Sequence, residues 1–404
     1  MAGFTGRERV TGIDRLGAHP IEKMGRAMLR YGMNPHQTAE LISGGPAVLN
    51  GEPSLINYLD ALNAFALVSE AEASTGRAAA ASFKHVSPAG AAVSGRVDET
   101  ACETWGVSAV SEDSLLAAYL RARDADPKSS FGDVVALSRP VDLATAEFLR
   151  TVICDAVIAP GYEPGALALL AGKKAGRFLV FEADPAAVPP SRERREVLGA
   201  TIEQESDTAD LAAALPGEAA LVGAARADAL VGMVTARYTQ SNSVVLVADG
   251  AAIGIGAGQQ NRVDCVRLAG AKARVWWLRR HPAVRELPVV AGMRRQDRLN
   301  WQIRFAGHEM TRGQREEFGG LFGTAARAQY DEPGWREAWA ERLTGVTLVS
   351  DGYLPFRDNV EHAADYGVTT IVEPGGSART GEVAAAAHRH GIAHVQTGLR
   401  LFHH

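Results

Sequence analysis

DVVALSRPVDLATAEFLRTVICDAVIAPGY, residues 133–162, decides the fold class. An apolar run at 133–138 predicts a strand, and Asp142 is placed to cap a helix running to Thr151. A second apolar run at 156–159 predicts another strand, stopped by Pro160 and Gly161. Strand, helix and strand in thirty residues are the signature of a layered α/β sheet. The pattern extends to both sides. Upstream, Ser54 caps a helix carrying Leu55, Leu59, Leu62 and Ala66, which feeds the strand AAASF at 79–83. A helix follows over 114–123. Downstream, a Pro- and charge-rich stretch at 184–195 reads as a linker before a long Ala-rich helix over 218–237. Strands are then expected at 244–247 and 252–255, a mostly helical Arg- and Trp-rich region at 261–345, and strands at 346–349 and 369–372, with a last strand leading into LRLFHH.

One internal echo stands out. AVIAPGY at 156–162 resembles TIVEPGG at 370–376, and each is preceded by a strand with an aspartate, Asp133 or Asp351, and a short helix. Two related halves explain it, although strand followed by Pro-Gly is common in any α/β protein.

Composition narrows the function. The chain has 404 residues, 46% hydrophobic and 22% charged, which is enough to bury a sizeable core. Forty-two Lys and Arg against 47 Asp and Glu give a net charge of −5, so no basic excess draws it onto nucleic acid. Cys102, Cys154 and Cys265 form no C-x-x-C pair and suit a reducing compartment. The N-terminus lacks the apolar stretch of a secretory signal, and no run has the length of a membrane span. A cytoplasmic protein is expected.

The candidate chemistry lies at strand ends. Lys84 and His85 leave a strand and enter a Pro-Gly turn, offering a cation and a base; a surface lysine beside a turn histidine is the competing reading. In TQSNS at 239–243, Asn242 can donate to a developing oxyanion, or the cluster only caps and turns. Gly254, Gly256 and Gly258 fail the dinucleotide fingerprint because residue 259 is Gln, and they read better as sites of close backbone packing. Arg30, Arg262 and Arg400, all at element boundaries, are suited to clamp a phosphate or carboxylate together, or each makes a surface ion pair. H-E-x-x-H, and H-x-E with P-C-x-x-C, are missing, so catalytic zinc is not expected.

Taken together, ten motifs resemble a specific family. LRYGMNPHQ (29–37), SFKHVSPAGAAV (82–93), SSFGD (129–133), VIAPGYE (157–163), YTQSNSV (238–244), IGIGAGQQ (253–260), WWLR (276–279), SDxxxPFRDNV (350–360, with Gly352-Tyr353-Leu354 in place of a more aromatic segment), PGGS (374–377) and TGLRLFHH (397–404) occur in this order in one place. That place is the transformylase half of the bifunctional purine-synthesis enzyme joining AICAR transformylase to IMP cyclohydrolase. The resemblance implies two cytidine-deaminase-like α/β subdomains without zinc. Their expected limits are an arm at 1–28, a first subdomain at 29–195, and a second at 196–404 with a helical insertion at about 270–345. It also implies a homodimer with composite sites, AICAR and 10-formyltetrahydrofolate as substrates, and no nucleic-acid or membrane partner.

Residue by residue, the resemblance implies Lys84, His85 and Asn242 as the catalytic set. Arg30, Tyr31, Gly132, Asp155, Arg262 and Arg400 stand where the family holds the nucleotide, and Tyr353, Asp358, Ser377, Ala378 and Asn300 where it receives folate. Thr239, Ser241, Ser243, Asp351 and Leu401 match positions around a potassium ion in some members. Fewer than thirty residues precede the first motif, so formyl transfer without ring closure is expected, with a separate IMP cyclohydrolase acting downstream. Two readings compete: an AICAR-like aminocarboxamide nucleotide as acceptor, and a nucleotide-binding protein without catalysis.

Overall fold

A computed structural model describes residues 26–215, 221 and 223–404. Most of the arm expected at 1–28, and the start of the helix expected from 218, lie outside these residues.

The short apolar runs become strands, the inner ones buried along nearly their whole length and the two edge strands partly exposed: Ala47–Asn50 (β1), Ala79–Phe83 (β2), Pro88–Val93 (β3), Asp133–Leu137 (β4), Cys154–Ala159 (β5), Leu179–Glu182 (β6), Val244–Ala248 (β7), Ala251–Gly256 (β8), Val346–Ser350 (β9), Val368–Glu373 (β10) and Ala393–Gln396 (β11). They join in one sheet in the order β11-β10-β9-β7-β8-β3-β2-β4-β5-β6-β1. Buried Val, Ile and Leu in such strands each contribute about 1.5–3 kcal/mol, and helices cover both faces.

Two halves of this sheet share one topology. In β3-β2-β4-β5-β6 the first pairings, β3 with β2 and β2 with β4, are antiparallel and the rest parallel; β8-β7-β9-β10-β11 repeats this strand for strand. Helices repeat too: Leu55–Thr75 with Ala224–Arg237, Leu115–Ala125 with Arg262–Leu278, Leu143–Thr151 with Asp358–Ala364, and Pro164–Ala171 with Thr380–Arg389. The halves meet antiparallel where Ala92 of β3 pairs with Ala251 of β8. They are therefore related by rotation about an axis normal to the sheet, and their equivalent strand ends lie at opposite edges.

The glycines of IGIG serve close packing. A Cβ on Gly254 would lie 2.1 Å from the carbonyl oxygen of Ala269, and one on Gly256 2.1 Å from that of Cys265, both on the helix Arg262–Leu278. Gly90 stands in the same relation to Ala122 in the first half.

Three expectations need correction. Residues 192–195 of the expected linker belong to an exposed two-stranded ribbon, Arg192–Val197 paired with Ala200–Glu205, so the expected boundary at 195/196 falls inside it. The helix over Arg262–Leu278 packs on the sheet as the partner of Leu115–Ala125, and the added helices begin after it, spanning residues 282–340. Asp133 opens its strand whereas Asp351 follows its own, so the two aspartates are not equivalent although their strands are.

No helix among the described residues is long and apolar enough to cross a membrane.

Asp228 accepts the N–H groups of Asp249 and Gly250 in the β7–β8 turn, and burial pushes its carboxyl up to about 6. A carboxyl held protonated by the fold stabilises it fully below about pH 4, and that contribution is lost as pH rises through about 6. Roughly two units correspond to about 3 kcal/mol. Asp228→Asn is expected to flatten the fall in unfolding free energy between pH 4 and 7 by up to about that amount. Equal pH slopes for variant and wild type in urea melts would contradict it.

Candidate active site

The antiparallel and parallel pairings bring the candidate residues to one edge of the sheet. That edge carries the C-terminal ends of β2, β8, β9, β10 and β11 and the N-terminal ends of β4, β5, β6 and β7. In the second half the parallel strands present their C-terminal ends, the usual place for a site in an open α/β sheet.

Lys84 and His85 leave β2 in a turn closed by the Lys84 N–H donating to the Ser87 carbonyl (2.9 Å), with His85 and Val86 both at positive φ (56° and 55°). His85 is exposed, while Lys84 is half-buried with its Nζ 2.7 Å from the Phe131 carbonyl. Beneath them a buried network fixes the strand end. The Arg123 guanidinium pairs with Asp133 at 2.9 Å, Asp133 accepts the Ser82 hydroxyl at 2.6 Å, and Arg123 also donates to the Ile153 carbonyl.

Phe131 leads into Gly132, whose φ of +74° makes any L side chain there strained, while the Asp155 carboxylate lies 3.6 Å from where a Cβ would stand. Arg30 and Asp155 line a cavity of about 760 Å³ with Glu52, Asn57, Lys174 and Arg177. Arg30 stacks on the Tyr31 ring at 4.8 Å and donates to its hydroxyl at 3.0 Å. Lys174 closes on Asp155 at 2.5 Å.

A second cavity, about 660 Å³, lies at the same edge in the other half. Asn242, Arg262, Tyr353 and Arg400 line it, with Gly375, Gly376 and Phe402. Asn242 gives one amide hydrogen to the Gln259 carbonyl (2.9 Å) and accepts from Arg262 (2.9 Å), leaving its second amide hydrogen for a ligand. Arg262 is buried, donates to the Ser243 carbonyl at 2.9 Å and forms an ion pair with the fully buried Asp351. Asp351 also accepts the Ser241 hydroxyl (2.6 Å) and the Ser243 N–H (3.0 Å). The Ser243 hydroxyl is buried with no hydrogen-bond partner among the described residues, and Leu401 donates its N–H to the Asp351 carbonyl at 2.8 Å. Thr239 instead turns its hydroxyl to the Thr235 carbonyl.

The aromatic rings of Tyr353 and Phe402 are about half exposed at this cavity. The loop carrying Tyr353 is pinned by Glu373, which accepts the Leu354 N–H (2.8 Å) and pairs with His394 (2.9 Å). Asp358 accepts from the Asn359 side-chain amide (2.8 Å), the Ser377 hydroxyl accepts the Arg379 N–H (3.1 Å), and Ala378 is exposed.

Residues 14–272 match the family model described as the AICARFT/IMPCHase bienzyme. The chain belongs to this family. It is 32% identical over 394 residues to the bifunctional purine biosynthesis protein PurH of Cereibacter sphaeroides, and 32% identical over 390 residues to that of Roseobacter denitrificans. Each alignment covers 93% of this chain and 59% of the relative, so the chain spans under two thirds of the length of these AICARFT/IMPCHase relatives.

Not every expected residue of this AICARFT/IMPCHase chain meets the others. The turns of the two halves touch, since the Ser87 hydroxyl accepts the Gln240 N–H at 3.3 Å. Arg30, however, lines the first cavity and Arg262 and Arg400 the second, so the three arginines do not converge within one chain. Asn300 lies apart, in a cavity of the helical insertion beside Trp301 and Arg304.

Sequence reading missed several contributors. Lys174 sits in KKAG, which reads as an ordinary helix end, yet left-handed geometry at Lys174 and Ala175 turns its ammonium to Asp155. Gly352 passes between Arg262 and Phe402, where a Cβ would come within 2.5 Å of the guanidinium and 2.7 Å of the ring. Among the described residues no group of three or more His, Cys, Asp and Glu side chains is placed to hold a metal ion.

Proposed function

We propose that this chain transfers the formyl group of 10-formyltetrahydrofolate to the 5-amino group of AICAR, giving FAICAR and tetrahydrofolate in purine biosynthesis. The observation that carries the reading is the gathering, at one sheet edge, of the exposed His85, the adjacent Lys84 ammonium and the Asn242 amide, the last at the wall of the second cavity. Each half is read as a cytidine-deaminase-like unit.

The AICAR amine is a weak nucleophile because its lone pair is delocalised, so its proton must leave as the N–C bond forms. His85 accepts that proton. The carbonyl oxygen becomes an oxyanion, which the free Asn242 amide hydrogen stabilises. Collapse breaks the bond from carbon to N10 of the folate, and Lys84 supplies positive charge or a proton to that nitrogen. Arg30, Tyr31, Gly132 and Asp155 on one side, and Arg262 and Arg400 on the other, are assigned to the nucleotide. Tyr353, Asp358, Ser377 and Ala378 are assigned to folate, with the exposed Tyr353 and Phe402 rings offering stacking surface. Holding both substrates in register supplies much of the rate.

The separation of the arginines supports a composite site in a homodimer, in which a second copy brings its own cavity, and Asn300, across the interface. The hydroxyls of Ser241 and Ser243 and the Asp351 carboxylate are a hard-oxygen set suited to a potassium ion, and the unpartnered Ser243 hydroxyl fits one. Such an ion would supply fixed positive charge beside the Thr239–Ser243 turn and Leu401. Ring closure of FAICAR is assigned to a cyclohydrolase activity outside these residues.

The test is a steady-state assay of purified protein with AICAR and 10-formyltetrahydrofolate. Release of tetrahydrofolate that depends on AICAR is expected. Release only with a related aminocarboxamide nucleotide would reassign the acceptor, and none with either would overturn the reading.

A further inference from the structure

We propose that Asp60 is a positioning residue that holds the turn presenting Lys84 and His85. It lies on the helix Leu55–Thr75, 8% exposed, directly under that turn, and its Oδ1 accepts the Val86 N–H at 2.6 Å. The turn needs such a partner. His85 and Val86 are consecutive left-handed residues, a conformation that L side chains avoid and that a β-branched valine adopts only when its surroundings impose it. A buried carboxylate bound to the Val86 N–H imposes it. Burial holds the Asp60 carboxyl above its usual range, opposed by the N–H groups of Val86 and His85 and the charges of His85 and Lys84.

The second half supplies a control within the same molecule. Asp228, on the equivalent helix, accepts the N–H groups of Asp249 and Gly250 in the equivalent β7–β8 turn. That turn lies at the opposite sheet edge and carries no lysine or histidine. Clamping the turn between the first two strands is thus common to both halves, and only in the first does the clamped turn carry the candidate catalytic pair.

The inference rests on the proposed formyl transfer, and its test has an arm independent of it. Asp60→Ala is expected to speed amide hydrogen exchange in the segment 84–87 and to lower kcat by about tenfold or more, with KM for the nucleotide within about threefold. Asp60→Asn keeps the acceptor oxygen and is expected to restore both. Asp228→Ala is expected to lower stability and leave kcat unchanged. Unaltered exchange at 84–87 in Asp60→Ala, or unaltered kcat in an active enzyme, overturns the proposal, as does Asp228→Ala lowering kcat to the same extent. A wild-type protein inactive with both AICAR and related aminocarboxamide nucleotides sinks the formyl-transfer reading, while the exchange arm still judges the clamp.

Discussion

His85→Ala is expected to lower kcat for formyl transfer by about 10² to 10⁴-fold, the usual worth of a positioned general base. Nucleotide affinity is expected to stay within about tenfold, because binding is assigned to the arginines and Asp155 of the two cavities. The geometry makes this variant a clean probe. His85 is exposed on a turn, outside the buried clusters, so truncating its ring opens no core cavity. The turn is held by the Lys84–Ser87 hydrogen bond and by Asp60, neither of which uses the imidazole. Single-turnover rates at saturating substrates, with calorimetric titration of AICAR, separate the two effects. Turnover at the wild-type rate would remove His85 from the mechanism.

Eight of the eleven sheet strands were legible as compact apolar runs between turn signals, while β1, β3 and β6 were not read, and Ser54, Ser114 and Asp142 marked helix starts that the structure keeps. What escaped the sequence has identifiable causes. The ribbon at 192–205 alternates Arg and Glu with few apolar residues and packs against little, so no hydrophobic period betrays it. The arginines looked like one clamp because each sits at an element boundary, but a boundary does not reveal which half of a duplicated sheet it joins. Rotation about an axis normal to the sheet sends equivalent ends to opposite edges, so Asp133 at the start of its strand and Asp351 after the end of the equivalent one are not equivalent positions, although each pairs with a buried arginine and accepts a serine hydroxyl. Asp60 escaped because on a helix at 55–75 it reads as one more polar residue, its partner being a backbone N–H twenty-six positions away.

Asp351→Asn is expected to cost about 3–5 kcal/mol of stability, the range for removing one member of a buried ion pair. Asp351 is fully buried and its two oxygens receive three donors: the Arg262 guanidinium, the Ser241 hydroxyl and the Ser243 N–H. An asparagine has one acceptor oxygen, so its amide nitrogen must face a donor while the guanidinium stays buried without a counter-charge. Function falls with stability here, because Arg262 also holds the Asn242 amide at 2.9 Å. The expected pattern is a lower urea midpoint together with a loss in kcat, unlike His85→Ala, which moves kcat alone. Pairing Asp351→Leu with Arg262→Met separates the causes: with no uncompensated charge left, the double variant recovers part of the stability lost in Asp351→Asn. It does not recover turnover, since Asn242 no longer has the guanidinium that orients it. A loss below about 1 kcal/mol in Asp351→Asn, the range of solvent-exposed pairs, would show that the pair is not buried in solution.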